Sequence, residues 1–240
     1  MSTFTLVPTP AEERFWRIYE GMRADVGAAI KSNLTYLTIY NLKAGDQDIQ
    51  AKISRYPELW TTMLYSLQTT FFIAFGRLFD NRGDALSIAR LIDVVIKNPQ
   101  IFSKAALLRR KRFDCRIVGP DPEWLTKYIA DAWEPTDADL KTLITALAPH
   151  CEKFKQVYAP IRNEIYAHRS KKNEEEVYVH FGKTLIGDVD HILRFVHTLL
   201  VALQELVSNG RKPDLTNFID YDAYVKRVSA EVEAFIRLLA

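Results

Sequence analysis

The chain has 240 residues, and its 32 basic and 30 acidic side chains leave a formal net charge of +2, so any anion-binding surface must come from local clustering and not from bulk charge. Apolar residues make up 48%, with 13 Phe, 11 Tyr and 4 Trp, which excludes a disordered chain. The 9 glycines are too few for the turns of a β-sandwich or a doubly wound sheet, which leaves an elongated all-α bundle of about eight or nine helices in a single domain over 1–240.

The first helix opens at Thr9, with Pro10 in the first helical position and Glu12 three residues on, as in a capping box. Phe15, Ile18, Tyr19, Met22, Val26, Ile30, Leu34, Leu37 and Tyr40 then recur in steps of three and four. They form one buried stripe that Gly45 ends. A second helix is expected from Pro57 to Asp80 and, being apolar on most sides, in the centre of the bundle. Asn81-Arg82-Gly83-Asp84 is a turn. Helices follow over 86–96, stopped by Asn98-Pro99, and over 103–113. Gly119-Pro120-Asp121-Pro122 breaks the chain before a helix over 122–133.

Thr136 or Asp137 caps a segment that reads helical to about His168. Pro149 and Pro160 lie within it, and each clashes with the carbonyl four residues earlier, Thr145 and Gln156. The segment is therefore either kinked twice or made of consecutive helices. Residues 169–176 form a polar loop. Val177-Tyr178-Val179-His180-Phe181 alternates as a short strand or an extended loop. A helix over 188–207 ends at Ser208-Asn209-Gly210, and a last one covers 221–239, an add-on or part of the domain.

Residues 1–10 have no basic start followed by an apolar core, so no secretory signal is expected. The longest apolar stretches, Phe71–Phe75 and Phe195–Leu203, are too short to cross a bilayer. Cys115 and Cys151 stand alone, which suits a reducing compartment and a cytoplasmic location. No histidine pair has metal-ligand spacing with a third ligand nearby, and no nucleotide or nucleophile motif occurs, so neither a metal nor a cofactor is expected.

One string carries chemistry: Arg162-Asn163-Glu164-Ile165-Tyr166-Ala167-His168. Attack of a 2′-hydroxyl on the neighbouring RNA phosphate needs a proton shuttle, for which histidine has the pKa. It also needs a cation over the phosphate, for which arginine offers a permanent charge and a forked donor set. Asn163 can donate to a phosphate oxygen. The spacing alone identifies nothing, because 17 arginines and 5 histidines produce it by chance about once in such a chain. On an ideal helix Arg162 and His168 lie about 120° apart. They converge only if the helix distorts, if it ends near His168, or if the site is shared across a dimer.

The string Arg-Asn-x4-His, at the end of a long helix and before a basic loop, resembles the Arg-polar-…-His motif of the HEPN superfamily. The upstream Phe75-Gly76-Arg77-Leu78-Phe79-Asp80, with Leu86-Ser87-Ile88 and Leu91-Ile92, resembles its abortive-infection U-type branch. The likeness spans roughly residues 14–206. It implies a HEPN-like all-α fold and a metal-independent endoribonuclease working as a homodimer on RNA in phage defence or a toxin–antitoxin system. It also allows a neutralising antitoxin or other regulatory partner. Carried onto this chain, Arg162 and His168 are the catalytic pair and Asn163 their polar neighbour.

Further substrate contacts are expected from Tyr166, Arg169, Lys171 and Lys172 beside the motif. Arg109 and Arg110 in the basic run Arg109-Arg110-Lys111-Arg112 are also candidates, unless that run is a solvated helix face or pairs with nearby acids. Arg77 and Asp80 are read as a structural pair. The alternative to catalysis is a helical nucleotide- or protein-binding module that keeps the motif.

Overall fold

The computed structural model describes residues 8–80, 82, 84–167, 181, 182 and 184–239. The protein is all-α, and no strand occurs among the described residues. Its spine is α1 (Pro10–Gly45), 36 residues long and about 54 Å from end to end. Thr9 caps it as expected: its hydroxyl accepts from Glu12 N while the Glu12 carboxylate accepts from Thr9 N. The Phe15-to-Ile30 stripe is buried against α3 (Pro57–Leu78) and α4 (Ile88–Lys97).

Between α1 and α3 the chain forms α2 (Gln47–Ser54), which the sequence reading missed. Asp46 is its cap, accepting from Asp48 N and Ile49 N. Ile49 and Ile53, four apart on one face, bury into a second, smaller cluster with Ile39, Trp60 and Ile236. The signals were there, an Asx cap followed by an i,i+4 apolar pair, but two turns fall below the length at which periodicity is readable.

The expectation that all of α3 is central is corrected. Its second half, from Phe71 to Leu78, is core, but Leu59 and Tyr65 in its first half are exposed. In that half Trp60 packs with Ile39, Ile49, Ile53 and Ile236, and the faces carrying Leu59 and Tyr65 are left open.

A 3₁₀ turn (Pro99–Phe102), α5 (Lys104–Asp114) and α6 (Glu123–Asp131) follow. Then comes α7 (Asp137–Lys153), capped by Thr136 in a second capping box. The helical path continues past Lys153 through a π stretch (Phe154–Tyr158), one α turn (Ala159–Ile161) and a second π stretch (Arg162–Ala167). Residues 137–167 thus form one uninterrupted rod and not consecutive helices. Pro160 has no N–H for the Gln156 carbonyl, and the wider i→i+5 turns around it absorb that mismatch. The 177–180 part of the expected strand lies outside the described residues.

Two more helices complete the bundle, α8 (Ile186–Asn209) and α9 (Ile219–Leu239). Gly210 caps α8 at φ +62°, and a Cβ there would fall 2.7 Å from both Ala132 Cβ and Leu107 Cδ2. Only glycine combines that left-handed turn with so close an approach. Helix α9 gives Tyr221 to the main core and Ile236 to the smaller cluster. No helix among the described residues is long and apolar enough to cross a membrane.

Candidate functional site

The second half of α3 and the π stretch of the rod lie side by side. Four aromatic pairs make this contact: Phe75 meets Phe154 and Tyr158 edge to face, Phe79 stacks on Phe154 at 4.5 Å, and Phe72 stacks on Tyr166 at 4.7 Å. Between these layers α3 carries Gly76, and Arg162 fills the space that its missing side chain leaves.

Arg162 is held at three points. Its stem lies on Gly76, one guanidinium nitrogen donates to Asn163 Oδ1 at 2.8 Å, and another stands 3.7 Å from Asp80 Oδ2. The Asp80 distance is that of a charge pair and not of a hydrogen bond, so among the described residues that nitrogen makes no hydrogen bond and can donate to an incoming oxygen. Nε of Arg162 is buried with no hydrogen-bond partner among the described residues. The side chain as a whole is 23% exposed.

Asp80 is itself anchored, accepting from Arg82 N at 3.0 Å and from the Arg82 guanidinium at 2.9 Å. Burial pushes its carboxyl up, but the Arg82 N–H groups and the Arg82 and Arg162 charges outweigh that and hold it below the usual range. The expected Arg77–Asp80 pair is corrected: Arg77 points across to Asp25 on α1 at 3.4 Å. Residues 77 and 80 leave the helix end in different directions because α3 stops at Leu78.

Arg162 and Asn163 open onto a cleft of about 410 Å³ between α3, α4 and the rod. Lys155, Glu152, Cys151 and Asp80 share its wall. Lys155 stands two turns before Arg162, exposed and without an ion pair among the described residues. The sequence reading missed it and missed Gly76 and Asp80 as neighbours of the motif. A lone glycine inside an otherwise bulky helix was the one available sign of a close approach.

Of the other expected residues, Tyr166 packs by its ring on Phe72, with Tyr65 6.3 Å away. Burial pushes its phenol up to about 12. Arg109 and Arg110 are not brought to this cleft. Both are drawn to Glu12, which is 3% exposed, and Arg110 also donates to Ile101 O at 3.0 Å and Val207 O at 2.9 Å. A buried carboxylate at the start of α1 takes both charges, so Arg110 is an internal tie and does not present itself to a phosphate backbone. His168, Arg169, Lys171 and Lys172 lie outside the described residues.

The two segments quoted for the family resemblance, 75–80 and 162–168, therefore meet in space at Gly76, Asp80 and Arg162. The family model for AbiU2, a HEPN group, matches residues 12–232. The chain belongs to this family. No curated protein and no solved structure matches it significantly. The match runs from α1 into α9. Among the described residues no three His, Cys, Asp or Glu side chains gather in a group that could hold a metal ion.

Proposed function

We propose that this HEPN domain is a metal-independent endoribonuclease that acts as a homodimer in phage defence or a toxin–antitoxin system. The observation that carries the reading is the seating of Arg162. It is oriented by Gly76, Asp80 and Asn163 at the mouth of a cleft, six residues before His168.

In this chemistry the 2′-oxygen attacks the adjacent phosphorus, the bond to the 5′-oxygen breaks, and a 2′,3′-cyclic phosphate and a 5′-hydroxyl result. His168 takes the 2′-hydroxyl proton or donates one to the leaving 5′-oxygen. Arg162 meets the charge that grows on the phosphorane oxygens, and Asn163 positions the phosphate. A π turn at the motif fits this role, since such turns concentrate at functional positions.

One observation favours the second reading, a non-catalytic nucleotide- or protein-binding module: Arg162 already has a carboxylate neighbour in Asp80. Incubating wild type and His168→Ala with a mixed RNA pool in EDTA separates the two. Cleavage by wild type alone, leaving cyclic phosphate ends, supports the nuclease, whereas no cleavage by either protein supports the module. Equal cleavage by both removes His168 from the mechanism. If the site is shared across a dimer, mixing Arg162→Ala with His168→Ala subunits restores part of the activity.

A further inference from the structure

A second pocket of about 370 Å³ lies on the other side of the rod from the Arg162 cleft, with Phe72 and Tyr158 in its wall. Along α3, Phe72 precedes Gly76 by four residues, about 6 Å. The pocket wall at Phe72 is thus one helical turn along α3 from the residue that seats Arg162, and the Tyr166 ring stacks on Phe72.

Its lining is aromatic with a few polar groups. Tyr36 and Tyr40 lie 6.3 Å apart and nearly parallel, at 17°, and Tyr40 is 57% exposed. Asn33 and Gln68 line the same space, and neither side chain has a hydrogen-bond partner among the described residues. A carboxamide both donates and accepts, as a base edge does. Tyr36 lies near enough to the Tyr166 phenol to act on it electrostatically, and Tyr166 stacks on Phe72 of the pocket wall.

We propose that this pocket receives one unpaired base of the RNA strand whose phosphate Arg162 binds. Tyr36 and Tyr40 provide the stacking surface, and Asn33 and Gln68 bond to the base edge. Recognition of RNA by splaying a base onto aromatic rings and reading its edge requires a single-stranded substrate. The volume is at the small end of ligand pockets, matching one ring system and not a whole dinucleotide. The inference rests on the ribonuclease reading for the role of Arg162.

The test is binding of a 2′-O-methyl RNA hexamer carrying one 2-aminopurine, which wild type cannot cleave. Tyr40→Ala and Gln68→Ala each weaken binding about tenfold or more and reduce the fluorescence change. Tyr56→Ala, at an exposed tyrosine in another part of the fold, leaves both unchanged. If the Tyr40 and Gln68 variants bind like wild type while RNA is still cleaved, the base pocket is wrong and the nuclease reading survives. If the hexamer binds through the pocket but unmodified RNA is never cleaved, the pocket stands and the nuclease reading falls. Adenosine monophosphate binding as tightly as the hexamer overturns the RNA assignment in favour of a free-nucleotide site. No hexamer binding by wild type overturns the base pocket, and overturns the nuclease reading as well only where unmodified RNA is also left uncut.

Discussion

Gly76 lies directly beneath the Arg162 side chain: a Cβ at position 76 would fall 2.7 Å from Arg162 Cγ and 2.8 Å from its Nε. Those atoms belong to the stem of a side chain held at both ends of its fork, so Arg162 must leave its rotamer to make room. Replacing a helix-interior glycine by alanine otherwise stabilises by about 0.5–1 kcal/mol. Gly76→Ala is therefore expected to retain the fold, the helix gain offsetting part of the clash, while lowering RNA cleavage about tenfold or more through misplacement of Arg162. Unchanged cleavage in a folded variant would show that the seat on α3 is irrelevant to activity.

Arg162→Lys keeps the charge and loses the fork. A lysine ammonium is a point charge and cannot hold Asn163 and address a phosphate oxygen together. Cleavage is expected to fall about a hundredfold, with little change in urea stability, because the replaced group is partly exposed and only loosely paired with Asp80. A fall in stability matching the fall in activity would make Arg162 a structural tie instead.

Glu12 joins the start of α1 to α5 through Arg109 and Arg110. Removing the carboxylate strands a buried guanidinium, so Glu12→Ala is expected to destabilise by about 3–5 kcal/mol in urea unfolding. Burial pushes the Glu12 carboxyl up, but the Thr9 N–H and the two guanidinium groups hold it below its ordinary value. A carboxylate whose folded pKa is depressed contributes stability above its unfolded pKa and loses it as pH falls through the folded value. Wild type should therefore weaken as pH drops below about 4, and Glu12→Gln should show less of that acid dependence.

His150 on α7 is 8% exposed, stacks on Phe195 at 4.0 Å and has the His191 ring 5.1 Å away. Burial, aided by His191, lowers its pKa to about 4. A histidine buried neutral stabilises fully above its unfolded pKa and progressively less as pH falls from there towards the folded value. Stability should decline by about 2–3 kcal/mol between roughly pH 6.5 and pH 4. The decline should be much smaller in His150→Gln. Identical pH profiles for the two proteins would show that His150 is not the titrating group.

The helices were legible because their signals are local. Thr9 and Thr136 cap where their sequences say, Gly45 and Gly210 mark ends, and the Phe15-to-Ile30 stripe fixes the buried face of α1 before any partner is known. The motif string and the 75–80 segment were also visible, and the likeness they carried led to the family. Their meeting was not visible. That Asp80 turns to Arg162 while Arg77 turns to Asp25, that Gly76 is a seat, and that Glu12 internalises Arg110 all depend on contacts between residues about 50 to 100 positions apart. Local sequence sets backbone propensity and amphipathic phase. Which cation answers to which carboxylate is decided only when packing brings helices together and desolvation makes each buried charge find a partner.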